Sequence, residues 1–150
     1  MEFATKCIHE IGAADATGAC RWALNAWLVI RGIKTLPLRM EQHQKNAFAI
    51  AKWLQEQPRV QYVLYPGLEN HPGYEINKAQ TTGFGGMISF AVDNAETARQ
   101  ILEGVKLIKF AESLGGTESL ITYPIRQTHT GIEATQDLID DLAQAFAAIE

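Results

Sequence analysis

A long apolar stripe with the period of an α-helix runs from Leu36 to Leu54 and sets the first limit on how this chain can fold. Starting at Leu36, its positions recur at alternating steps of four and three residues, at Met40, His43, Ala47, Ile50 and Leu54. Such spacing turns one face of an α-helix toward a core. Pro58 ends the pattern because proline cannot continue the hydrogen-bond ladder of a helix. The sequence therefore predicts one long amphipathic helix, preceded by a second helical segment over 22–33, with a break or kink marked by Gly32 and Pro37.

The rest of the chain alternates strand and helix patterns at short intervals. Runs rich in β-branched or aromatic residues predict four strands, at 60–65, 86–92, 107–110 and 119–123. Helices are predicted over 72–80, over 95–103 with a capping box formed by Asp93 and Glu96, and at the C-terminus around Leu138 and Leu142. These elements predict an α/β protein of two layers, in which helices cover one face of a small, mainly antiparallel sheet.

Composition narrows the class of protein. The chain has 150 residues, the size of one ordinary domain, and its 47% hydrophobic and 20% charged residues match average globular usage. A net charge of −4 without basic clusters argues against nucleic acid or an anionic membrane as a partner. Cys7 and Cys20 cannot build a disulfide framework or a Cys-rich zinc site. No apolar run approaches the ~20 residues of a bilayer span, so we expect a soluble, cytoplasmic protein.

Few residues carry a chemical signature by themselves. Four scattered histidines provide no metal-ligand spacing, and His43, on the apolar stripe, is interpreted as a packing residue rather than a catalytic one. Gly83–Gly86 precedes a strand, whereas a dinucleotide-binding loop follows a strand and opens a helix, so we predict a bend or bulge there. Residues 111–119 place a carboxylate and hydroxyls between two strands, as a functional loop would, although a solvated glycine turn is the simpler interpretation.

Four segments, in order, resemble a single family. They are Ala26–Met40, Tyr65–Leu68 (Tyr-Pro-Gly-Leu), Gly83–Met87 (Gly-Phe-Gly-Gly-Met) and Ala111–Leu120 (Ala-Glu-Ser-Leu-Gly-Gly-Thr-Glu-Ser-Leu). Together they resemble the Cys/Met-metabolism family of pyridoxal-phosphate enzymes, which includes cystathionine γ-synthase, cystathionine γ-lyase, methionine γ-lyase and O-acetylhomoserine sulfhydrylase. The resemblance covers only the smaller, C-terminal domain of that family, an antiparallel sheet covered by helices. It implies pyridoxal 5′-phosphate as the family cofactor and a small amino acid as the substrate.

The chain departs from the family pattern at its start. Residues 1–20 resemble the beginning of a full-length member, through Phe3–His9, and residues 21–150 resemble a single C-terminal-type domain. We therefore expect the large domain to be missing, with its Schiff-base lysine, the aspartate that pairs with the pyridinium nitrogen, the stacking aromatic ring and the phosphate loop. Ala4–Lys6 is similar to the family's lysine motif, but a Schiff-base lysine must be buried beside its cofactor. We expect Lys6 to be a solvated terminal lysine.

A second departure lies between Thr130 and Gly131. The stretch absent there carries the family's arginine, whose bidentate fork would hold the α-carboxylate of an amino acid. Arg126 is near in sequence, but nothing places it equivalently. The absent stretch also includes a strand, so residues 126–132 are expected to fill its place or to leave a sheet edge exposed.

Three substrate-side positions of the family remain by resemblance, Glu112, Ser113 and Thr128. Ser113 is the one that the resemblance places beside the substrate carboxylate. The cofactor is the group that withdraws electrons from the substrate in this family, so without it these side chains cannot support the reaction. No catalytic, cofactor-binding or metal-binding residue is predicted in this chain.

Three functional hypotheses follow. The first is a truncated transsulfuration-type homologue, linked to Cys/Met metabolism by ancestry and inactive as an isolated chain. The second is an association module that pairs with itself or with a full-length related enzyme through an apolar stretch. That stretch comprises Trp22, Trp27, Leu28, Ile30 and Ile33. The third is an enzyme completed by another chain that supplies the lysine, the aspartate and the phosphate loop. The substrate within the γ-synthase and γ-lyase branch stays open.

Overall fold

The computed structural model describes residues 23–111, 116–122, 127–129, 131 and 133–149, with only the backbone described for 127–129. The chain divides into two compact units, residues 1–37 and residues 38–150. No described helix is both long enough and apolar enough to cross a membrane.

Helix α1 (Ala23–Ile33) is the first described element of the first unit. Only Asn25 and Arg31 carry polar side chains in it, and none of its residues is buried. A turn at residues 34–35 separates α1 from the next helix, with the backbone N–H of Thr35 donating to the carbonyl of Gly32. The predicted break is therefore present. Pro37 falls in the first turn of the following helix, where a missing N–H costs nothing.

Helix α2 (Leu36–Gln55) carries the predicted apolar stripe. His43, Ala47, Ile50 and Leu54 are buried as the period requires. Leu36 and Met40, in contrast, are exposed: burial on this face begins at His43, and the hydrophobic core cluster begins at Ala47. The stripe was therefore predicted correctly over its last three turns and overextended at its N-terminal end.

Five strands form one sheet, in the order β1-β2-β5-β4-β3. They are β1 (Val60–Leu64), β2 (Met87–Val92), β3 (Lys109–Phe110), β4 (Leu120–Thr122) and β5 (Gln127–His129). The pairs β1–β2, β2–β5 and β4–β5 are antiparallel, and β3–β4 is parallel. The prediction of a mainly antiparallel sheet is confirmed. Strand β5 comes from the segment that was expected to fill the place of a lost strand, and it lies between β2 and β4.

Three further helices complete the chain, α3 (Tyr74–Gln80), α4 (Ala95–Gly104) and α5 (Thr135–Ala147). Side chains of α2, α5 and three strands share one core, in which Val63 (β1), Ile88 (β2) and Ile121 (β4) represent the sheet. Their strand neighbours Leu64 and Met87 are exposed. Helices therefore pack on one face of the sheet, as the two-layer prediction states.

The N-terminus of α4 differs from its prediction. Asn94, not Asp93, is the N-cap: its backbone is extended and its side-chain oxygen accepts a hydrogen bond from the N–H of Thr97 at 2.9 Å. The carboxylate of Asp93 instead accepts from the N–H of Asn94 at 3.0 Å. The capping-box assignment was wrong by one position, because either residue type can cap a helix and only the backbone geometry decides between them.

Asp141 joins α5 to the connection between α4 and β3. Its buried carboxylate accepts three backbone N–H bonds, from Lys106 at 2.8 Å and from Leu107 and Ile108 at 2.9 Å each. Backbone donors in such a connection have no helix or sheet partner of their own, and a carboxylate satisfies several of them at once. This residue therefore fixes the course of the chain into the edge strand β3.

We predict that Asp141→Asn lowers the free energy of unfolding by about 1–3 kcal/mol, because the amide nitrogen that replaces one carboxylate oxygen cannot accept from these N–H groups. Urea unfolding monitored by circular dichroism measures the change. Asp140→Asn is the matched control, since Asp140 is exposed on the same helix and accepts only from Gln136 in the described structure. Equal stability of the two variants would contradict this role of Asp141.

Candidate functional site

Of the three predicted substrate-side residues, only Thr128 lies within the part of the chain that the structure describes, and only its backbone is described there. Glu112 and Ser113 lie outside the described residues, as do Lys6 and Arg126. The backbone of Thr128 lies in β5, paired with Ile88 on one side and with Ile121 on the other. Thr128 is thus placed at the centre of the sheet.

The glycine loop Gly83–Gly86 connects α3 to β2 and is held by two side chains. The N–H of Phe84 donates to the side-chain oxygen of Gln44 at 2.6 Å, and the hydroxyl of Tyr65 donates to the carbonyl of Gly85 at 3.0 Å. Gly85 has a φ of 72°, in the left-handed region that glycine tolerates best. The predicted bend before a strand is confirmed, and it rests on contacts with α2 and with the end of β1.

Tyr65 is fully buried, although its hydroxyl is bonded to the glycine loop. Burial raises its pKa to about 12, because the phenolate would lose its hydration there. The folded state therefore holds the proton more tightly than the unfolded chain, whose tyrosines titrate near 10. Stability that depends on neutral Tyr65 is complete below about pH 10 and is lost as the pH rises toward 12.

We predict that Tyr65→Phe flattens the loss of stability at alkaline pH. At pH 7 the variant should be less stable by about 1 kcal/mol, since the hydrogen bond to the loop is removed. Between about pH 10 and 12, the unfolding free energy of the variant should fall less than that of the unmodified chain. The two should differ by up to about 1.4 kcal/mol more for every unit of pH in the interval between the unfolded and folded pKa values of Tyr65. Chemical unfolding across this range measures both effects.

Tyr74→Phe serves as the control for that experiment. The Tyr74 ring stacks on Phe84 with centroids 5.6 Å apart, so the substitution keeps the ring contact at the same loop. We expect it to retain the full alkaline loss. The assignment to Tyr65 fails if both variants respond to pH in the same way.

A buried polar network surrounds Gly131, where the connection from β5 enters α5. The side-chain amide of Asn46 donates to the carbonyls of Gly131 at 3.0 Å and Glu133 at 2.9 Å. Its oxygen accepts from Gln42 at 2.8 Å and Thr135 at 2.5 Å. All hydrogen-bonding capacity of this fully buried amide is therefore used.

Ser119 holds the other side of the same connection. The Ser119 hydroxyl accepts from the N–H of Gly131 at 2.7 Å and donates to the carboxylate of Glu133 at 2.9 Å. The N–H of Ser119 donates to the same carboxylate at 2.5 Å. The segment that follows the predicted second departure is thus bonded from α2 and from the start of β4. Its bonds occupy the groups that a bound molecule would need, so the network is interpreted as structural.

Sequence reasoning missed Asn46, Ser119 and Glu133 as a group. A signal was available for Asn46, because it lies three residues after His43 on the buried side of α2, where a polar side chain requires a partner. Nothing in the sequence connects Asn46 with Gly131, 85 positions later.

We predict that Gly131→Ala destabilises the second unit by about 1–3 kcal/mol, because the added methyl group overpacks the site. A Cβ at this position would collide with the carbonyl oxygen of Thr117 and the carboxylate of Glu133, and would lie 2.5 Å from the carbonyl carbon of Glu118. Gly32→Ala is the control, since a Cβ there meets nothing within 4 Å. Thermal unfolding of both variants tests the prediction, which fails if Gly131→Ala melts like the unmodified chain.

Other candidate groups are dispersed. No group of three His, Cys, Asp or Glu residues in the described part of the chain is placed to hold a metal ion. His43 is buried on α2, in agreement with its interpretation as a packing residue. The nitrogen Nδ1 of His71 accepts from the N–H of Gly73 at 3.0 Å within a turn. All lysines that the structure describes, Lys34, Lys45, Lys52, Lys78, Lys106 and Lys109, are exposed.

Comparison with known proteins identifies relatives in the family that the four sequence segments resemble. Residues 3–130 match the family described as Cys/Met metabolism PLP-dependent enzyme. The chain is 42% identical to cystathionine gamma-lyase from Bacillus subtilis, over 90% of this chain and 41% of that protein.

Solved structures agree with the sequence match. The chain superposes on metB from Corynebacterium glutamicum with a TM-score of 0.85 and 38% identity, covering 90% of this chain and 40% of that one. Its superposition on cystathionine gamma synthase from Xanthomonas oryzae, solved in complex with aminoacrylate and cysteine, has a TM-score of 0.84 and 34% identity, covering 89% and 40%. The chain thus spans about two fifths of the length of the relatives it matches.

Proposed function

The chain belongs to the Cys/Met metabolism family of pyridoxal-phosphate-dependent enzymes, and from this membership we propose that it is a transsulfuration-type domain that does not hold the cofactor or catalyse turnover by itself. Its relatives are cystathionine lyases and synthases, and it matches about two fifths of their length. The proposed setting is the cytoplasm, which the cysteine content favours. The division into a segment 1–20 and a domain 21–150 stays a prediction.

One observation carries this proposal: the described residues do not fit the cofactor. A lysine that bonds to the aldehyde of pyridoxal phosphate needs a desolvated site that lowers its pKa, so that the neutral amine is available. The six described lysines are all exposed instead. The Asn46 and Ser119 side chains, which are buried and polar, are already bonded to the protein backbone or to Glu133.

The positions Glu112, Ser113 and Thr128 are proposed as the vestige of a site for a small amino-acid substrate. When bound in the family, the cofactor supplies the electron sink for chemistry at the substrate carbon atoms. This chain would contribute only hydrogen-bonding groups around the substrate. Which amino acid those groups fit stays open.

Association is a second candidate function, and the exposure of α1 favours it. Leu24, Ile30 and Ile33 are 65%, 59% and 55% exposed, in a helix without a buried residue. Trp22, the first residue of the predicted apolar stretch, lies outside the described residues. Apolar side chains exposed together typically mark an interaction surface. The partners proposed for this function are a second copy of the chain or a full-length related enzyme.

We predict that pyridoxal phosphate added to the purified chain gives only diffuse, substoichiometric labelling after borohydride reduction, because exposed lysines react weakly and without selectivity. Absorbance during the titration and peptide mapping of the reduced protein provide the measurement. A stoichiometric adduct at one lysine would overturn the proposal.

Two variants make that result specific. Lys6→Arg removes the lysine of the segment similar to the family motif, and Lys34→Arg removes an exposed lysine as the matched control. We expect the two variants to be labelled to the same small extent. A loss of labelling confined to Lys6→Arg would assign cofactor binding to Lys6.

A further inference from the structure

A cavity of about 480 Å³ lies between one face of α4 and the edge strand β3. Its volume falls within the roughly 300–1,000 Å³ that is typical of sites for small molecules. The residues that line it are Ala95, Glu96, Arg99, Leu102, Glu103 and Phe110. The five residues from α4 recur at the spacing of one helix face over two turns, so this side of the cavity is about 12 Å long. None of the six belongs to the polar networks described above at Gly131 and Asp141.

Phe110 and Leu102 provide the apolar floor of the cavity. In the parallel pair of β3 and β4, Phe110 lies beside the core residue Ile121, and side chains in register on neighbouring strands point to the same face of a sheet. Phe110 therefore continues the apolar face of the core to the edge of the sheet. β3 is the last strand there, and Phe110 is 64% exposed. Its ring is thus an aromatic surface that is available to a ligand.

Three charged side chains form the wall above this floor and hold one another in place. Arg99 donates from Nε and Nη2 to the two carboxylate oxygens of Glu96, at 3.0 and 2.5 Å, and from Nη1 to Oε1 of Glu103 at 2.5 Å. Within the described part of the chain, the other oxygen of Glu103, Oε2, has no hydrogen-bond partner. Two carboxylates and one guanidinium give the wall a formal charge of −1.

The two lysines near Phe110 in the sequence lie outside the cavity. Lys109 precedes Phe110 in β3, and successive side chains of a strand point to opposite faces of the sheet. The ammonium group of Lys109 donates to the carbonyl of Lys106 at 3.0 Å, and neither lysine lines the cavity. The cavity therefore combines an apolar floor with a wall that attracts positive charge.

We propose that this cavity binds a small organic cation, a molecule with an aromatic or branched aliphatic body and one ammonium group. The body covers the Phe110 ring and Leu102, and the ammonium group donates to Oε2 of Glu103. An aromatic face also attracts an ammonium group beside it. A zwitterionic amino acid fits the same site less well, because its carboxylate is repelled by those of the wall. This inference goes beyond the functions proposed above and depends on neither, since all of its residues belong to the second unit.

Three indole compounds of nearly equal size test the proposal in NMR titrations of the full, isotope-labelled chain. They are tryptamine, a cation at pH 7, tryptophol, its neutral analogue, and indolepropionate, an anion. We expect tryptamine to bind saturably, with shifts at the amides of α4 and β3. Its dissociation constant should be lower than that of tryptophol by about threefold or more, as for one exposed ion pair. Indolepropionate should bind most weakly.

Two variants, each with a matched control, connect binding to the cavity. Glu103→Gln keeps an oxygen that accepts from Arg99 but removes the charge, and Glu75→Gln removes the charge of an exposed carboxylate on α3. We expect Glu103→Gln to bring tryptamine and tryptophol within about twofold of each other in affinity. Phe110→Ala removes the exposed ring and should weaken binding of both by about threefold or more. Phe48→Ala, at a ring that is 39% exposed on α2, and Glu75→Gln should leave both affinities unchanged.

Three outcomes would overturn the proposal. The first is the absence of saturable tryptamine binding up to about 10 mM, a concentration that detects millimolar dissociation constants. The second is equal affinity for all three compounds, which would show that the charged wall plays no part. The third is equal weakening by Phe110→Ala and Phe48→Ala, which would place the ligand elsewhere. Circular dichroism verifies that each variant folds, so that a loss of affinity is not a loss of structure.

Discussion

The packing of α2 against the sheet is the constraint on which the second unit depends. Ala47, Ile50 and Leu54 enter the common core with strand residues and with α5. Two polar residues beside that stripe, Gln44 and Asn46, then reach the glycine loop and the connection at Gly131. One helix thus supplies both the apolar face and the hydrogen bonds that position two distant segments. A change in the orientation of α2 would disturb the apolar core, the glycine loop and the connection at Gly131 together, since buried polar groups without partners are costly.

This arrangement explains what some of the sequence segments that the chain shares with a family of cofactor-dependent enzymes do in the fold. Tyr65, from the Tyr-Pro-Gly-Leu segment, donates its hydroxyl hydrogen bond to Gly85, from the Gly-Phe-Gly-Gly-Met segment. Ser119, from the fourth shared segment, Ala111–Leu120, bonds Gly131 and Glu133. These residues support the fold directly. Their presence therefore requires neither a bound cofactor nor catalysis, because each already has a partner in the protein.

Helix α1 differs from the second unit in the exposure of its apolar side chains. Its sequence favours a helix, yet its apolar side chains remain exposed. In the second unit, comparable side chains such as Ile50 and Leu142 are almost completely buried. Exposed apolar area carries a free-energy cost of about 25 cal/mol per Å². Among the described elements, α1 would therefore gain the most free energy from association.

Much of this fold could be predicted from the periodicity of apolar residues. Local apolar patterns, which any packed core must satisfy, indicated the stripe of α2, the main strands, the C-terminal helix and the two-layer class. The family resemblance likewise rests on local segments. Tertiary structure alone decided the central position of β5, since Gln127–His129 has no distinctive strand pattern, and the parallel pairing of β3 with β4. Long-range contacts also decided the polar connections: Asn46 bonds a residue 85 positions away. A buried polar side chain specifies that a partner must exist and not which one it is. Local apolar patterns therefore specify which faces are buried, whereas long-range contacts specify which polar groups meet between them.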